Sequence, residues 1–418
     1  MDEVSSQMNA EITTFGTGSS ATGDYSTALS IDSAATGVGA TATGYKSLAS
    51  ANFSTAFGTL SSAIGHKNTA IGYKSMASAN FSTVLGSESH ALGENSTAIG
   101  GISIASGEGA TSLGQDSKAS ASFTAAVGSL SHASGEGAVA FGHSSRASAS
   151  FTTATGSTSI ATAHYSTAYG YNSQATGENS IATGSISGAS GEGGTATGHC
   201  SVASGDFSTA HGYRSKASAE NSTASGGSSA ATGEGGTAAG GFSAASGDFS
   251  TALGYSSKAS SESGTALGAH SRASGEGATA SGHNSKATAE NSTALGSNSR
   301  AYGDFSTAIG AHSKAHGDFS IALGANSSTD EVVSTEGMTV AGHAYTFAGS
   351  VAKGTISIGS HSHDVINRTM TNLAAGRIEN GSTDAVNGSQ LFILKELIEE
   401  ISSRLDEICS FKQIKGDE

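Results

Sequence analysis

From Asp24 to Gly324 small apolar and small polar positions alternate with a period of seven, giving 43 consecutive units of the form x-x-Ser-x-Ala-x-Gly with no insertion or deletion. The fifth position is alanine in 41 units, Val84 and Ser112 being the exceptions; the third is serine in 33 and the seventh glycine in 34. Ser-x-Ala-x alternation is strand periodicity, in which every second side chain shares a face. A coiled-coil seam is excluded, because it needs large apolar side chains and would lose about 1 kcal/mol at each interior glycine. Glycine closing each unit marks a place where the backbone turns. Each unit is therefore expected to be one short strand and one tight turn.

Adjacent units differ and alternate. Asp-Phe-Ser-Thr-Ala-Leu-Gly (248–254) represents the first kind and Tyr-Ser-Ser-Lys-Ala-Ser-Ser (255–261) the second. Two unlike strands make a 14-residue coil. Coils stacked ~4.8 Å apart would form two parallel sheets back to back, with serine and alanine filling a gap too narrow for larger side chains. The sixth position of the first kind then faces outward as an apolar stripe: Leu29, Phe57, Ile71, Leu85, Ile99, Leu113, Val127 and Phe141, then Leu253, Leu267, Leu295, Ile309 and Leu323. Soluble monomers rarely expose so long a patch, so the stripe predicts self-association along its length. It softens to Thr155, Tyr169, Thr183, Thr197, His211, Ser225 and Ala239, where the contact should be weakest. The opposite sheet is polar. Its fourth position carries Lys258, Arg272, Lys286, Arg300 and Lys314 in successive coils. Like charges stacked that closely repel, which makes this ladder the expected ligand-binding surface for an anion unless facing acids satisfy it. Nearer the N-terminus the same slot holds Leu48, Met76 and Ile104.

Composition narrows the function classes. Among 418 residues there are 59 glycines, no proline and no tryptophan, and 13% are charged, against about 25% in ordinary globular domains. Alanine and glycine bury too little apolar area for a conventional enzyme core, and the chain lacks the proline and charge of a disordered one. A formal charge of −15 disfavours nucleic acid and acidic membranes. The first residues, MDEVSSQMNA, carry no apolar signal region, and no run of about 18 apolar residues predicts direct membrane insertion. Alternating barrel strands are missing from the C-terminus. Cys200 and Cys409 form no framework. No HExxH, GxSxG, GxGxxG or phosphate loop occurs, and the acids at Glu178, Glu192, Asp206, Glu220, Glu234 and Asp248 read as a solvated turn ladder. No catalytic residue, metal or cofactor is expected. The sharpest metal candidate is His361-Ser-His363, which three copies on a shared axis would multiply to six imidazoles, unless the surrounding neck holds them at the periphery.

After Ser328 the period stops. An irregular stretch with short strand-like pieces leads to NRTMTNLAAGRIENGSTDAVNGSQLF (367–392). Leu391, Leu394, Ile398, Ile401, Leu405 and Ile408 then recur at three and four, a short helical seam. On the head repeat, on Asn372-Leu-Ala-Ala-Gly376, Thr383-Asp384-Ala-Val-Asn387 and Gln390-Leu391, and on the FAG…GTISIG approach (347–359), the chain resembles the trimeric autotransporter adhesins of Gram-negative bacteria. That resemblance implies an all-β, left-handed parallel β-roll forming a homotrimeric head, a neck holding Asn372, Gly376, Asp384, Asn387 and Gln390, and a coiled-coil stalk. The trimer would be held by the stripe residues with Leu394, Ile398, Ile401, Leu405 and Ile408. The implied partners are extracellular matrix or host cell-surface ligands, or other bacteria, met at the cell surface without catalysis. The expected divisions are a lead-in at 1–16, head repeats at 17–327, an irregular β segment at 328–366, a neck at 367–390 and a stalk at 391–414. Without the family's secretion signal and anchor barrel, the chain is expected to be a fragment or to be displayed by another route. A trimeric phage tail fibre is the rival expectation, with an ice-binding threonine array behind it.

Overall fold

The computed structural model describes residues 11–340, 342–361 and 365–414, with side chains in the last helix described as far as Ile408. The chain divides into two compact units, the first ending at Asn284 and the second starting at Ser285.

In the first unit three-residue strands alternate with two-residue strands. Thr27–Leu29 and Thr41–Thr43 pair in parallel, Thr27 against Thr41, Ala28 against Ala42 and Leu29 against Thr43. Ala34–Ala35 and Leu48–Ala49 pair likewise, Ala34 against Leu48. The partner always lies 14 residues on, so the unit is a parallel β-solenoid whose long strands form one sheet and short strands the other. The solenoid begins earlier than the periodicity places it: Thr13–Phe15, within the expected lead-in, already pairs in register with Thr27–Leu29.

The core is as narrow as the composition requires. Fifth-position alanines are buried, and third-position serines with them. A buried hydroxyl without a partner is costly, and most of these find one inside their own turn, although Ser26, Ser47, Ser208 and Ser306 meet none among the described residues. Ser54 donates to the Ala51 carbonyl (2.6 Å), Ser61 to Gly58 (2.9 Å) and Ser96 to Gly93 (2.6 Å). Each serine bonded in this way fixes the turn that precedes its strand. The exceptions are compensated locally. Asn68, in a serine slot, donates to Ala77 O (2.7 Å) and accepts from Ser82 N–H (2.9 Å). Ser112, in an alanine slot, meets the Ser117 hydroxyl at 2.7 Å.

The turns hold a feature that residue preferences oppose. The second residue of most units is left-handed, and several are phenylalanine, such as Phe53 (φ +58°), Phe151 (φ +57°) and Phe249 (φ +55°). A non-glycine residue there costs about 1–2 kcal/mol. Each of these rings lies over a glycine one coil earlier. A Cβ on Gly39, Gly137 or Gly235 would stand 3.0 Å from the ring of Phe53, Phe151 or Phe249 respectively. Glycine opens the space, and the aromatic face filling it offsets the backbone cost.

The second unit repeats the coil, with Thr293–Leu295 against Thr307–Ile309 and Thr307–Ile309 against Ile321–Leu323. The irregular segment is an insertion. After Ser328 the chain forms an antiparallel hairpin, Gly337–Val340 with His343–Thr346, and then Ile356–Ser357 returns to pair in parallel with the strand Ile321–Leu323. Arg368 caps this coil: its guanidinium donates to Ser327 Oγ (3.0 Å), to Ala325 O (2.6 Å) and to Ile358 O. The helix Gly388–Ile414 follows.

Candidate functional site

The chemistry of the described residues lies on two outward sheet faces and at the neck. On the short-strand sheet of the first unit, Lys258 pairs in register with Arg272. In the second unit, Lys286 pairs with Arg300 and Arg300 with Lys314. The fourth position of each strand points away from the alanine beside it, so these cations stand on the outer face, Lys258, Arg272 and Lys314 exposed and Lys286 and Arg300 half-buried. Among the described residues none of the five forms an ion pair with a carboxylate. Arg300 donates to the Tyr302 hydroxyl (3.2 Å), and its buried Nε meets no acceptor among the described residues. The expectation that facing acids satisfy the ladder therefore finds no pair here. The same slot holds a second cationic group, Lys118, His132 and Arg146, which the sequence reading did not single out. Its signal was the slot itself.

The long-strand sheet presents the apolar stripe. Leu253 is 38% exposed and Phe57 55% in the single chain. Leu85, Leu113, Leu295 and Leu323 are also exposed, while Leu29, Ile71, Ile99, Leu267 and Ile309 are half-buried. In the helix Leu391, Leu394, Ile398, Ile401, Leu405 and Ile408 are between 50% and 64% exposed. Polar neighbours brace that helix, Lys395 to Glu399 at 3.1 Å and Arg404 to Glu400 at 2.7 Å.

The five neck residues share one stretch of hydrogen-bonded loop. Asn387 caps the helix: its Oδ1 accepts from Gln390 N–H (3.2 Å), while Gln390 Oε1 accepts from Asn387 N–H (3.1 Å), a reciprocal capping box. Gln390 also reaches across the loop, accepting from Gly376 N–H (3.1 Å) and donating to Gly376 O (2.6 Å). Asn387 Nδ2 donates to Leu373 O (3.1 Å). Gly376 must be small, since a Cβ would stand 2.9 Å from Asp384 Cβ and closer still to the Ala385 carbonyl. Asp384 takes Arg377 in a fork, Nε at 2.9 Å and Nη2 at 3.2 Å, and also accepts the Arg377 N–H. These bonds hold its carboxyl below the usual carboxylate range, so this tie is present at neutral pH and fades as pH falls through the lowered value. Asn372 takes a left-handed turn (φ +64°). Gln390→Ala removes three hydrogen bonds and half the cap, and should cost about 1–2 kcal/mol. Faster amide exchange at Gly376 and Asn387, with the solenoid amides unchanged, is the expected reading; unchanged exchange at both would refute it.

The turn acids have a structural use. Asp206 Oδ1 accepts from Glu192 N–H and Asp248 Oδ1 from Glu234 N–H, both at 2.9 Å, tying one coil to the next. Among the described residues no three histidine, cysteine or acidic side chains are grouped to hold a metal. His363 lies outside the described residues, so the HxH pair is not placed.

Residues 15–29, 35–61, 63–101, 105–131, 133–159, 161–185, 189–215, 245–271, 273–299 and 301–327 match the YadA head domain repeat. Residues 369–406 match the coiled stalk of trimeric autotransporter adhesin. The chain belongs to this family of YadA-like trimeric autotransporter adhesins. The matched stretches pass over 216–244, where the outward stripe has dwindled to Ser225 and Ala239. Among relatives, autotransporter adhesin BtaE of Brucella suis biovar 1 (strain 1330) is 47% identical over 83 residues, a match covering 20% of this chain and 11% of BtaE. The chain thus spans a small part of the curated relative it matches. Of solved structures, the collagen-binding domain of Yersinia adhesin YadA is 34% identical, over 47% of this chain and 84% of that one, with a TM-score of 0.31. The C-terminal YadA-like domain of a Burkholderia pseudomallei protein is 39% identical, over 26% and 50%, with a TM-score of 0.25.

Proposed function

We propose that this chain is the head, neck and first stalk segment of a homotrimeric, non-enzymatic adhesin at the cell surface, which binds host matrix or cell-surface ligands, or other bacteria, by repeated weak contacts. Three copies associate through the apolar stripe and the helix seam, and the polar short-strand sheets face outward. The observation that carries the reading is the contrast between the faces. One sheet exposes leucine, isoleucine and phenylalanine in many coils, and the other holds Lys258, Arg272, Lys286, Arg300 and Lys314, which have no carboxylate partner among the described residues. Threefold display multiplies a modest affinity per site. The tail-fibre alternative draws no support from the family matches.

The cationic ladder is the proposed ligand surface, and an anionic matrix component is its proposed ligand. Replacing Lys286, Arg300 and Lys314 together by glutamate should weaken retention of the full chain on immobilised heparin at neutral pH by about tenfold or more, each charge contributing up to about 1 kcal/mol. Unchanged retention would remove the ladder from the proposal while leaving the trimer untouched.

A further inference from the structure

We infer that Lys118, His132 and Arg146 form a separate anion site on the polar sheet of the first unit, which takes sulfated polysaccharide and binds it more tightly in mildly acidic medium. Lys118 pairs in register with His132 and His132 with Arg146, so three side chains on consecutive strands stand in single file at ~4.8 Å intervals. Isoleucines close the file at both ends, Ile104 beside Lys118 and Ile160 beside Arg146. The file lies on the sheet opposite the stripe, so it stays open if copies associate as proposed above; to that extent the inference rests on the proposed trimer.

The charges set up a switch. Lys118 holds Asp116 at 3.3 Å, which cancels one charge locally. Arg146 is exposed and has no carboxylate partner among the described residues. With His132 neutral, the file carries one net positive charge; protonation doubles it. Burial, then Lys118 on the coil before and Arg146 on the coil after, push the imidazole below its ordinary value, against the opposing pull of Asp116 and the Leu130 carbonyl. Glu136, four residues on, is the nearest acid in sequence along its own coil. An anion laid along the file offsets the repulsion from Lys118 and Arg146 that, after burial, lowers the His132 imidazole, so proton and anion each favour the other's binding. Sulfate suits this chemistry because it stays ionised throughout the window in which histidine titrates, and a linear polymer matches charges in file. The chain's overall charge of −15 works against unspecific polyanion binding.

The test uses the full chain and size-defined heparin oligosaccharides, with neutral dextran and a short DNA duplex as comparisons. Between about pH 7.5 and about pH 5.5 affinity for heparin should rise about fivefold, the effect of one added exposed ion contact. His132→Gln should flatten that rise, and His132→Lys should bind tightly at both values. The Lys286→Glu/Arg300→Glu/Lys314→Glu chain should be weaker at neutral pH yet keep the acid-induced gain, which separates this site from the ladder. An unaltered gain in His132→Gln, loss of the gain in the triple variant, or no heparin binding at either pH would overturn the inference. DNA bound as tightly as heparin would overturn the assignment to sulfated glycan.

Discussion

Gly142→Ala should be among the most damaging single-methyl changes in this chain. Gly142 has φ +132°, a region that L side chains rarely adopt, and a Cβ there would stand 2.5 Å from the Gly156 carbonyl of the next coil. Strain of this kind costs up to about 3 kcal/mol before any clash is counted. The clash is with backbone, and backbone moves only if the coil spacing opens. The sequence carries the same message once the two kinds of unit are separated. First-kind units end in glycine in 21 of 22 cases, Ser30 alone departing; second-kind units end in glycine in 13 of 21 cases, with alanine in seven. Gly188→Ala, where φ is not positive and a Cβ would meet nothing within 4 Å, should cost well under half as much. In a solenoid each coil touches mainly its neighbours, so the Gly142→Ala defect should also be local. Thermal unfolding and amide exchange check both points: Gly156 N–H, which donates to Phe141 O at 2.7 Å, should lose protection first. Equal stability for the two variants would mean that the coil absorbs the methyl group, and the backbone reading of the glycines would fall.

What was legible in the sequence was whatever the 14-residue period fixes. That period sets which strands pair, which residues turn inward and which stand outside, and the pairing of Ala28 with Ala42 follows from it directly. The unread parts are those that escape the period. Ile321 pairs with Ile356 across an inserted hairpin, and nothing local in ISIG says that it rejoins a sheet left 35 residues earlier. Arg368 caps a coil through carbonyls more than forty residues away in one case, a contact no spacing rule exposes. Phenylalanine in left-handed turns contradicts residue preference, and its reason, a glycine one coil earlier, is visible only when coils are stacked. Lys118, His132 and Arg146 were hidden by their mixed types, although the slot that holds them is the one that holds Lys258. The neck was recognised by resemblance, whereas its logic, a capping box that reaches back to Gly376, came from geometry.

Leu253→Asp should break the proposed trimer where the stripe re-forms after its polar stretch. Leu253 pairs with Ala239 on one side and Leu267 on the other, so it is the first large apolar outward residue after Ser225 and Ala239. In a closed interface the new carboxylate would be buried without a partner in every protomer, costing about 3 kcal/mol per copy. The expected result is a wild-type mass of three chains by light scattering and a concentration-dependent loss of that mass, with a lower melting temperature, in the variant. Ser246→Asp places the same charge on the exposed polar sheet and should change neither. The mirror change is more telling. Ser225→Leu restores an apolar outward residue where the stripe is interrupted, so if that stretch is the weak part of the contact it should raise the trimer's melting temperature while adding nothing to the core of the single chain. A clean wild-type monomer, or a Ser225→Leu variant that aggregates instead of tightening the trimer, would mean that the stripe is covered by something other than its own copies, and the outward orientation of the cationic sheet would then need a different argument.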